Sequence, residues 1–222
     1  MRCVYGRNFE RRYTDLLPHV PEGVSVVDLC AGAAYLYRRY LSTMGVSYHG
    51  LDYSRHFVER GRARGVRMDE FDVHRDPIPE ADVVMMQASL YQFMDHAPAL
   101  IRRMLAAARR KVIITEAIVS LSDSRNPLLA SFARRVTTPA GAPQGYTGSR
   151  FTRESLDALF RAFPSFVESF AIAGGRELAG VFRGSQGEQA PRGSSGQAVE
   201  SLDLGHDPND VGVAKLLVNG QV

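Results

Sequence analysis

The sequence has little cysteine and no long apolar run. Cys3 and Cys30 are the only cysteines among 222 residues, too few for a disulfide framework or for the ligand spacing of a zinc site. No apolar run reaches the roughly 18 residues that a membrane span requires. The charged amino-terminal stretch lacks the apolar segment of a secretory signal. We therefore expect a cytoplasmic protein that does not bind a membrane.

Lysine is also scarce, and the net charge is only +3 at pH 7. Lys111 and Lys215 are the only lysines, and the arginines form small clusters on separate predicted helices. Nucleic-acid binding requires a basic stripe with interleaved aromatic side chains. The arginine clusters are better explained as solvated helix faces, so no nucleic-acid partner is expected. The hydrophobic content of 45% is typical of a soluble globular protein.

Predicted strands and helices alternate through the first half of the chain. Residues 24–29 form an apolar, β-branched run that is typical of a strand buried on both faces. Four further strands are predicted in the segments VSYHGLD, VRMDEFD, ADVVMM and KVIITEA, with helices between them. Counted along the chain, the second strand is predicted to end at Asp52 and the third to end at Asp72. This alternation predicts parallel strands with right-handed crossovers, which is a doubly wound α/β sheet.

The regular alternation stops after the fifth strand. A helix is predicted over residues 126–136, and Thr152 is predicted to cap another. Two strands around Gly174 and Gly175 form a predicted hairpin. Residues 1–183 are predicted to form one domain. Residues 184–222, where Gly, Ser, Gln and Asp dominate, are predicted to be a disordered tail.

The first strand-to-helix turn is built from small residues: Cys30, Ala31, Gly32, Ala33 and Ala34. Ligands of open parallel sheets bind at the carboxyl ends of strands, and small residues let the backbone approach a ligand closely. A dinucleotide would require the three glycines of GxGxxG, of which this turn has one. A nucleoside without phosphates requires less. A tight turn that binds no ligand is the third interpretation.

Two acidic residues stand at the predicted ends of the second and third strands. Asp52 follows Gly32 by 20 residues, the approximate offset at which a carboxylate accepts ribose hydroxyls. A helix-capping or loop acid is the alternative. Asp72 comes directly after Phe71, so this acid could bind the amino edge of adenine while the adenine ring packs on Phe71. An ordinary strand-end acid with no ligand is the alternative for Asp72.

This order of motifs resembles the class I S-adenosylmethionine-dependent methyltransferases over residues 24–182. The segment VVDLCAG resembles their glycine motif, and GLDYS resembles their ribose motif. The resemblance implies a Rossmann-like, mostly parallel seven-stranded sheet with an antiparallel terminal hairpin, and S-adenosyl-L-methionine as the cofactor. The residues that it assigns to cofactor binding are Asp28, Cys30, Ala31, Gly32, Asp52, Tyr53, Phe71, Asp72, Val73 and Gln87.

The resemblance implies methyl transfer to a small-molecule acceptor, at oxygen or nitrogen rather than carbon. Residues 118–150, which break the regular fold, are expected to shape the acceptor pocket. The candidate catalytic residues are Gln92, His96 and Glu116. A surface or capping role is the alternative for His96, and a structural strand-end role is the alternative for Glu116.

The glycine motif departs from the family pattern, because Cys30 and Ala34 replace its first and last glycines. Positive φ angles are uncommon for residues other than glycine, so the turn has less backbone freedom. This departure favours a second hypothesis, a non-catalytic binding or interaction protein that has kept the fold. A short-chain oxidoreductase is disfavoured, because neither lysine is preceded at a spacing of four by the tyrosine that such enzymes require.

Overall fold

The structure is a computed structural model, and it describes residues 5–118 and 150–186. Within them the strands are β1 (Ser25–Leu29), β2 (Ser47–Asp52), β3 (Met68–Glu70), β4 (Ala81–Gln87), β5 (Ala108–Ala117), β6 (Phe166–Ile172) and β7 (Glu177–Arg183). They form one sheet in the order β3-β2-β1-β4-β5-β7-β6. The first five strands are parallel, and β7 is antiparallel to β5 and β6. The predicted sheet and terminal hairpin are confirmed.

Helices pack on both faces of this sheet. The α-helices of the described residues are α1 (Arg11–Thr14), α2 (Tyr35–Arg39), α3 (Arg55–Arg62), α4 (Ala97–Ala107) and α5 (Arg153–Arg161). Short 3-10 turns cover Gly6–Asn8, Leu17–His19, Leu41–Thr43 and Leu90–His96. One core contains α4 and α5, and the other contains the amino-terminal segment, α2 and α3. No helix in residues 5–118 or 150–186 has the length and apolarity to cross a bilayer.

The central strand β1 shows why its sequence is apolar without alternation. Val27 and Leu29 face the core that contains α4, whereas Val26 faces the core that contains α2. A strand covered on both faces has no solvent side for polar residues. Its buried polar exception is Asp28, which is 3% exposed.

Two predicted elements differ from those observed. The helical spacing of apolar and aromatic residues from Leu36 to Met44 predicts one helix, but α2 ends at Arg39, and the backbone of Tyr40 leaves the helical region before a 3-10 turn. The third strand was predicted to end at Asp72, but β3 ends at Glu70. The Asp72 N–H instead donates to the Asp76 carboxylate, so the chain turns within its own loop and leaves the sheet.

The carboxyl-terminal predictions have mixed outcomes. Thr152 caps α5 in a reciprocal bond with Ser155, and the hairpin turns at Gly174 and Gly175. The backbone of Gly184 to Gln186, in the predicted tail, donates to carbonyls at the start of β5. The predicted helix over residues 126–136, most of the predicted insert, and the tail beyond residue 186 lie outside the described residues.

The amino-terminal segment is held to β7 by a buried ion pair. The Arg12 Nε donates to Glu177 Oε1 at 2.5 Å, and both residues are at least 95% buried. The hydroxyl of Tyr5 donates to the same carboxylate. The Tyr5 ring also lies 4.3 Å from the Arg12 guanidinium carbon. A charge buried with a hydrogen-bonded partner anchors this segment, because breaking the pair would strand the other charge.

Candidate cofactor site

A cleft of about 730 Å³ lies at the carboxyl ends of β1 to β4. This is where an open α/β sheet binds ligands, and the volume suits a small organic molecule. Six of the predicted cofactor-binding residues line the cleft: Cys30, Gly32, Asp52, Tyr53, Asp72 and Val73. Five further lining residues are not among the predicted cofactor-binding or catalytic residues: Ser54, Phe57, His74, Ser89 and Phe93.

Four predicted cofactor-binding residues do not line the cleft: Asp28, Ala31, Phe71 and Gln87. Phe71 is 7% exposed, packs in the core with α4 and does not line the cleft, so its ring is not placed to pack on adenine there. The apolar walls come instead from Val73, Phe57 and Phe93. Phe57 stands in the first turn of α3, directly after the strand end at Asp52, and this position is the signal that could have indicated it.

Asp52 is the acid that joins the first turn to the end of β2. Its Oδ2 accepts the Gly32 N–H at 2.7 Å, and its Oδ1 accepts the Ser54 N–H at 2.8 Å. The carboxylate is therefore fixed in orientation, and it is 9% exposed at the wall of the cleft. Each carboxylate oxygen has two lone pairs. Both oxygens therefore retain the capacity to accept a hydrogen bond from a ligand.

The first turn keeps a glycine-like backbone although glycine is present at one position only. The φ angles of Cys30, Gly32 and Ala34 are 55°, 54° and 48°. Cys30 and Ala34 thus adopt the left-handed conformation at the positions where the family motif has glycine. A non-glycine residue in this region costs about 1–2 kcal/mol. The surrounding structure must supply that energy, because both residues hold this conformation.

Ala34→Gly is expected to change the unfolding free energy by less than about 0.5 kcal/mol. Relief of the left-handed strain, about 1 kcal/mol, offsets the loss of a buried methyl, about 0.8 kcal/mol. Ala158→Gly, on the exposed side of α5, is the matched control and should cost about 1 kcal/mol. Urea unfolding measures both. Equal losses in the two variants would contradict the strain at Ala34.

The thiol of Cys30 lies in the wall of the cleft. Burial raises the pKa of Cys30 to about 12, and the nearby carboxylates of Asp52 and Asp28 act in the same direction. The thiol is therefore protonated at neutral pH and is a poor nucleophile, because the thiolate is the reactive form. Cys30 serves this wall as a small neutral side chain.

The loop after β3 leaves one backbone donor without a partner among the described residues. The N–H groups of Asp72 and His74 donate to carboxylates of the loop, and those of Arg75 and Asp76 donate to the Asp72 carbonyl. The Val73 N–H has no hydrogen-bond partner among the residues that the structure describes. Since Val73 lines the cleft, this donor is available to a ligand beside the Asp72 carboxylate.

The three candidate catalytic residues have different surroundings. Gln92 lines the cleft, near Ser89 at the end of β4. His96 lines a separate cavity of about 280 Å³ against α4. Glu116 is fully buried and accepts the N–H groups of Tyr91 and Ala117, each at 2.9 Å. Burial raises the pKa of Glu116 to about 7, with those two bonds opposing the rise. Glu116 therefore fixes the start of the loop that carries Gln92.

Asp28, at the end of β1, is buried beneath the first turn. Burial raises its pKa from 3.8 to about 7, a hydrogen bond from Tyr48 opposes the rise, and the charge of Asp52 adds to it. The Tyr48 hydroxyl donates to Asp28 Oδ2 at 2.8 Å, and the Tyr48 ring stacks on Tyr37. Asp28 thus supports the strand beneath the site from the side of α2.

Asp28→Asn is expected to weaken the pH dependence of stability. An acid with a raised folded pKa binds a proton in the folded state between about pH 4 and pH 7, whereas the unfolded chain has released it. The unfolding free energy should therefore fall as pH rises through this window. One pKa unit corresponds to about 1.4 kcal/mol, so the Asp28 part of the fall is on the order of 2–4 kcal/mol.

Urea unfolding at pH 5 and pH 8 measures the difference between the wild type and Asp28→Asn. Part of the fall should persist in the variant, because Glu116 is also an acid with a raised pKa. The amide oxygen of the variant can still accept the Tyr48 hydroxyl, so folding should be retained. An identical fall in both proteins would show that Asp28 is ionised in the folded state at pH 5.

Residues 49–138 match the family model of an O-methyltransferase domain. The solved structure of an S-adenosylmethionine-dependent methyltransferase from Aquifex aeolicus superposes with a TM-score of 0.54 at 13% identity, covering 78% of this chain and 89% of that chain. Magnesium protoporphyrin IX methyltransferase from Synechocystis, with bound S-adenosylhomocysteine, superposes with a TM-score of 0.55 at 14% identity. That alignment covers 78% of this chain and 80% of the other. The chain has the class I S-adenosylmethionine-dependent methyltransferase fold.

The structural neighbours also include a cyclase. The cyclase SpnF superposes with a TM-score of 0.53 at 20% identity, covering 74% of this chain and 60% of that chain. A comparison with curated protein sequences gives no match. The family resemblance found in the sequence is confirmed, and S-adenosylmethionine is the cofactor that it implies for this methyltransferase fold.

The cleft of this methyltransferase fold has the features that S-adenosylmethionine requires. A Cβ built on Gly32 would meet no atom within 4 Å, so the turn leaves open space above its backbone. Asp52 has acceptor capacity, and the Val73 N–H lacks a partner among the described residues. A carboxylate, an open donor and a bare backbone thus line one cavity, and they fit ribose, adenine and an amino-acid end respectively.

Proposed function

We propose that this chain transfers the methyl group of S-adenosylmethionine to an oxygen or nitrogen atom of a small-molecule acceptor. The observation that carries the proposal is the geometry of Asp52, which is oriented by two backbone amides beside the bare backbone of Gly32. The match to an O-methyltransferase domain supports oxygen as the first choice of acceptor atom. The protein is proposed to act in the cytoplasm, without a nucleic-acid partner.

The proposed binding roles follow the order of residues along the cleft. Asp52 accepts hydrogen bonds from the ribose hydroxyls, and Gly32 lets the amino-acid end lie on the backbone. The Asp72 carboxylate accepts from the adenine amino group, and the Val73 N–H donates to a ring nitrogen. Tyr53, which is 79% exposed beside Asp52, packs against the same nucleoside. Cys30 and Ser89 lie in the wall towards the end of β4.

The bound cofactor supplies a sulfonium methyl group that is already activated for transfer. The protein must then hold the acceptor atom in line with that methyl group, and such orientation can contribute roughly 7–11 kcal/mol. Ser89 and Gln92 are the polar side chains near the end of β4 that can orient an acceptor. A general base is needed only where the acceptor carries a proton that must be removed. Residues 118–150 are proposed to complete the acceptor pocket.

A second candidate function is binding without methyl transfer. It is favoured by the side chains at the end of β4, because neither the Ser89 hydroxyl nor the Gln92 amide is a base at neutral pH. The two candidates with ionisable side chains, His96 and Glu116, are absent from the lining of the cleft. Such a protein would bind the cofactor and modify no acceptor.

Two measurements separate these functions. Isothermal titration of the full chain with S-adenosylmethionine and S-adenosylhomocysteine tests cofactor binding, and no heat at millimolar ligand would reject both functions. Transfer of label from methyl-labelled S-adenosylmethionine to a broad panel of phenols, carboxylic acids and amines tests catalysis. A labelled product supports the methyltransferase, whereas tight binding without a labelled product supports the binding protein.

A further inference from the structure

The loop that follows β3 (residues 72–76, the adenine-side loop) has little support from the sheet. β3 is an edge strand of three residues, and its pairing with β2 ends at Glu70 opposite Asp52. The Phe71 N–H then donates to the Asp52 carbonyl at 3.1 Å. No backbone bond joins residues 72–76 to another element within the described parts of the chain. The proposed adenine contacts of Asp72 and Val73 nevertheless depend on this loop.

Among the described residues, one side chain from another element donates hydrogen bonds to this loop, and the His74 ring also lies against Phe93 and His96. Arg103, half-buried on α4, donates through Nη1 to the Val73 carbonyl and through Nη2 to the Asp76 carbonyl. Its planar guanidinium can reach two carbonyls at once, which an ammonium group on a flexible stem does less well. The two acceptors lie at either end of the segment that carries the open Val73 N–H.

Packing between the loop and α4 is incomplete. The Arg103 hydrogen bonds therefore contribute more to holding the loop against α4. A cavity of about 280 Å³ separates them, with Val73 and His74 on one side and Leu100 and Arg103 on the other. Hydrogen bonds from a charged donor are stronger than those between neutral groups. Arg103 therefore restrains the loop across a gap that apolar contacts leave open.

We propose that Arg103 is a positioning residue that sets the adenine-side loop for recognition of the cofactor's base. The proposal rests on the proposed function, because it concerns how the same cleft selects adenine. Arg103 contacts no cofactor atom in this scheme. It acts by holding the Val73 and Asp76 carbonyls, so that the Val73 N–H and the Asp72 carboxylate face the base with donor and acceptor in fixed places.

The test compares two ligands that differ only at the base. S-adenosylhomocysteine carries the adenine amino group, whereas S-inosylhomocysteine has a carbonyl oxygen there and an N–H at the neighbouring ring nitrogen. The wild type should prefer the adenine form, since its acceptor and donor oppose those of the inosine form. Arg103→Ala should lower the affinity for S-adenosylhomocysteine by about 10-fold or more and bring the ratio of the two affinities towards one.

Arg102→Ala is the matched control. Arg102 is the adjacent residue of α4, is exposed, and lies 6.0 Å from the Phe163 ring, away from the loop. Its removal should leave the affinity ratio at the wild-type value. Arg103→Lys retains the charge but not the two-pronged geometry, so an intermediate ratio is expected. Arg103→Gln and Arg103→Lys provide the same measurement if Arg103→Ala does not fold.

Hydrogen exchange gives a readout that does not require ligand. Amides of residues 72–76 should exchange faster in Arg103→Ala than in the wild type, while those of β1 are unchanged. A wild-type affinity ratio in the Arg103 variants would overturn this proposal alone. Absence of any binding to the wild type would overturn the proposed function and this proposal with it.

Discussion

Asp52→Asn should lower the affinity for S-adenosylhomocysteine by about 100-fold or more. The carboxylate is proposed to accept both ribose hydroxyls, and hydrogen bonds to a charged acceptor contribute about 1.5–3 kcal/mol each. The amide keeps one acceptor oxygen and turns an NH2 group towards one of the two backbone amides that Asp52 now accepts, from Gly32 and Ser54. Two donors then face each other, so the first turn is disturbed as well. Isothermal titration measures the loss.

The matched control is Asp69→Asn on the neighbouring strand. Asp69 lies on β3 opposite Leu51, pairs with His49 and Arg62, and does not line the cleft. Its side chain is 48% exposed, and surface ion pairs of this kind contribute about 0–1 kcal/mol. Its affinity for the ligand should equal that of the wild type. Retention of wild-type affinity by folded Asp52→Asn would remove the ribose role.

The sequence predicted the fold well because the signals for it are local and repeated. Strands β1, β4 and β5 each contain a run of apolar residues, and the helices between strands have their own spacing, so the alternation survives errors in single elements. The ends of helices and strands were predicted less well, because the backbone conformation of a single residue can end an element. The backbone at Tyr40 ends α2 early, and the bond from the Asp72 N–H to Asp76 draws the chain away from β3. Neither is encoded in hydrophobic spacing.

The candidate site was predicted in part. The physical reasons for the correct and the incorrect assignments differ between residues. Asp52 and Gly32 were found because strand ends and small turns place backbone and carboxylates at one edge of a parallel sheet. Phe71 was assigned to the cleft because of its neighbour Asp72, but it packs in the core. A sequence shows which residues adjoin a strand end, but it does not show which face each side chain takes once the strand has stopped.

The replaced glycines show a further limit of the sequence. Cys30 and Ala34 indicated a turn with less backbone freedom, and this suggested a degenerate motif. Both residues instead adopt φ angles near 50°, because the fold around them imposes a conformation that they disfavour locally. The absence of a glycine is therefore weak evidence for loss of the turn. Whether a protein side chain fills the space above the turn is the stronger criterion for cofactor binding.

Gly32→Ala tests that criterion and should abolish measurable cofactor binding while the protein stays folded. The φ angle of 54° makes alanine strained there, at a cost of about 1 kcal/mol. The new Cβ meets no protein atom within 4 Å, so the folded chain can accommodate it. Gly32 lines the cleft, so the new methyl group would occupy space where the amino-acid end of the cofactor is proposed to lie. A clash of this kind should reduce the affinity by at least about 100-fold.

Gly45→Ala separates strain from occupancy. Gly45 has a φ angle of 64°, its added Cβ also meets nothing within 4 Å, and it does not line the cleft. Both variants should therefore lose about 1 kcal/mol of unfolding free energy, but only Gly32→Ala should lose affinity in isothermal titration with S-adenosylhomocysteine. Equal affinities in the two variants would mean that the cofactor does not pass over this turn. The site would then have to lie elsewhere in the cleft, because a ligand packed on the Gly32 backbone cannot share its space with a methyl group.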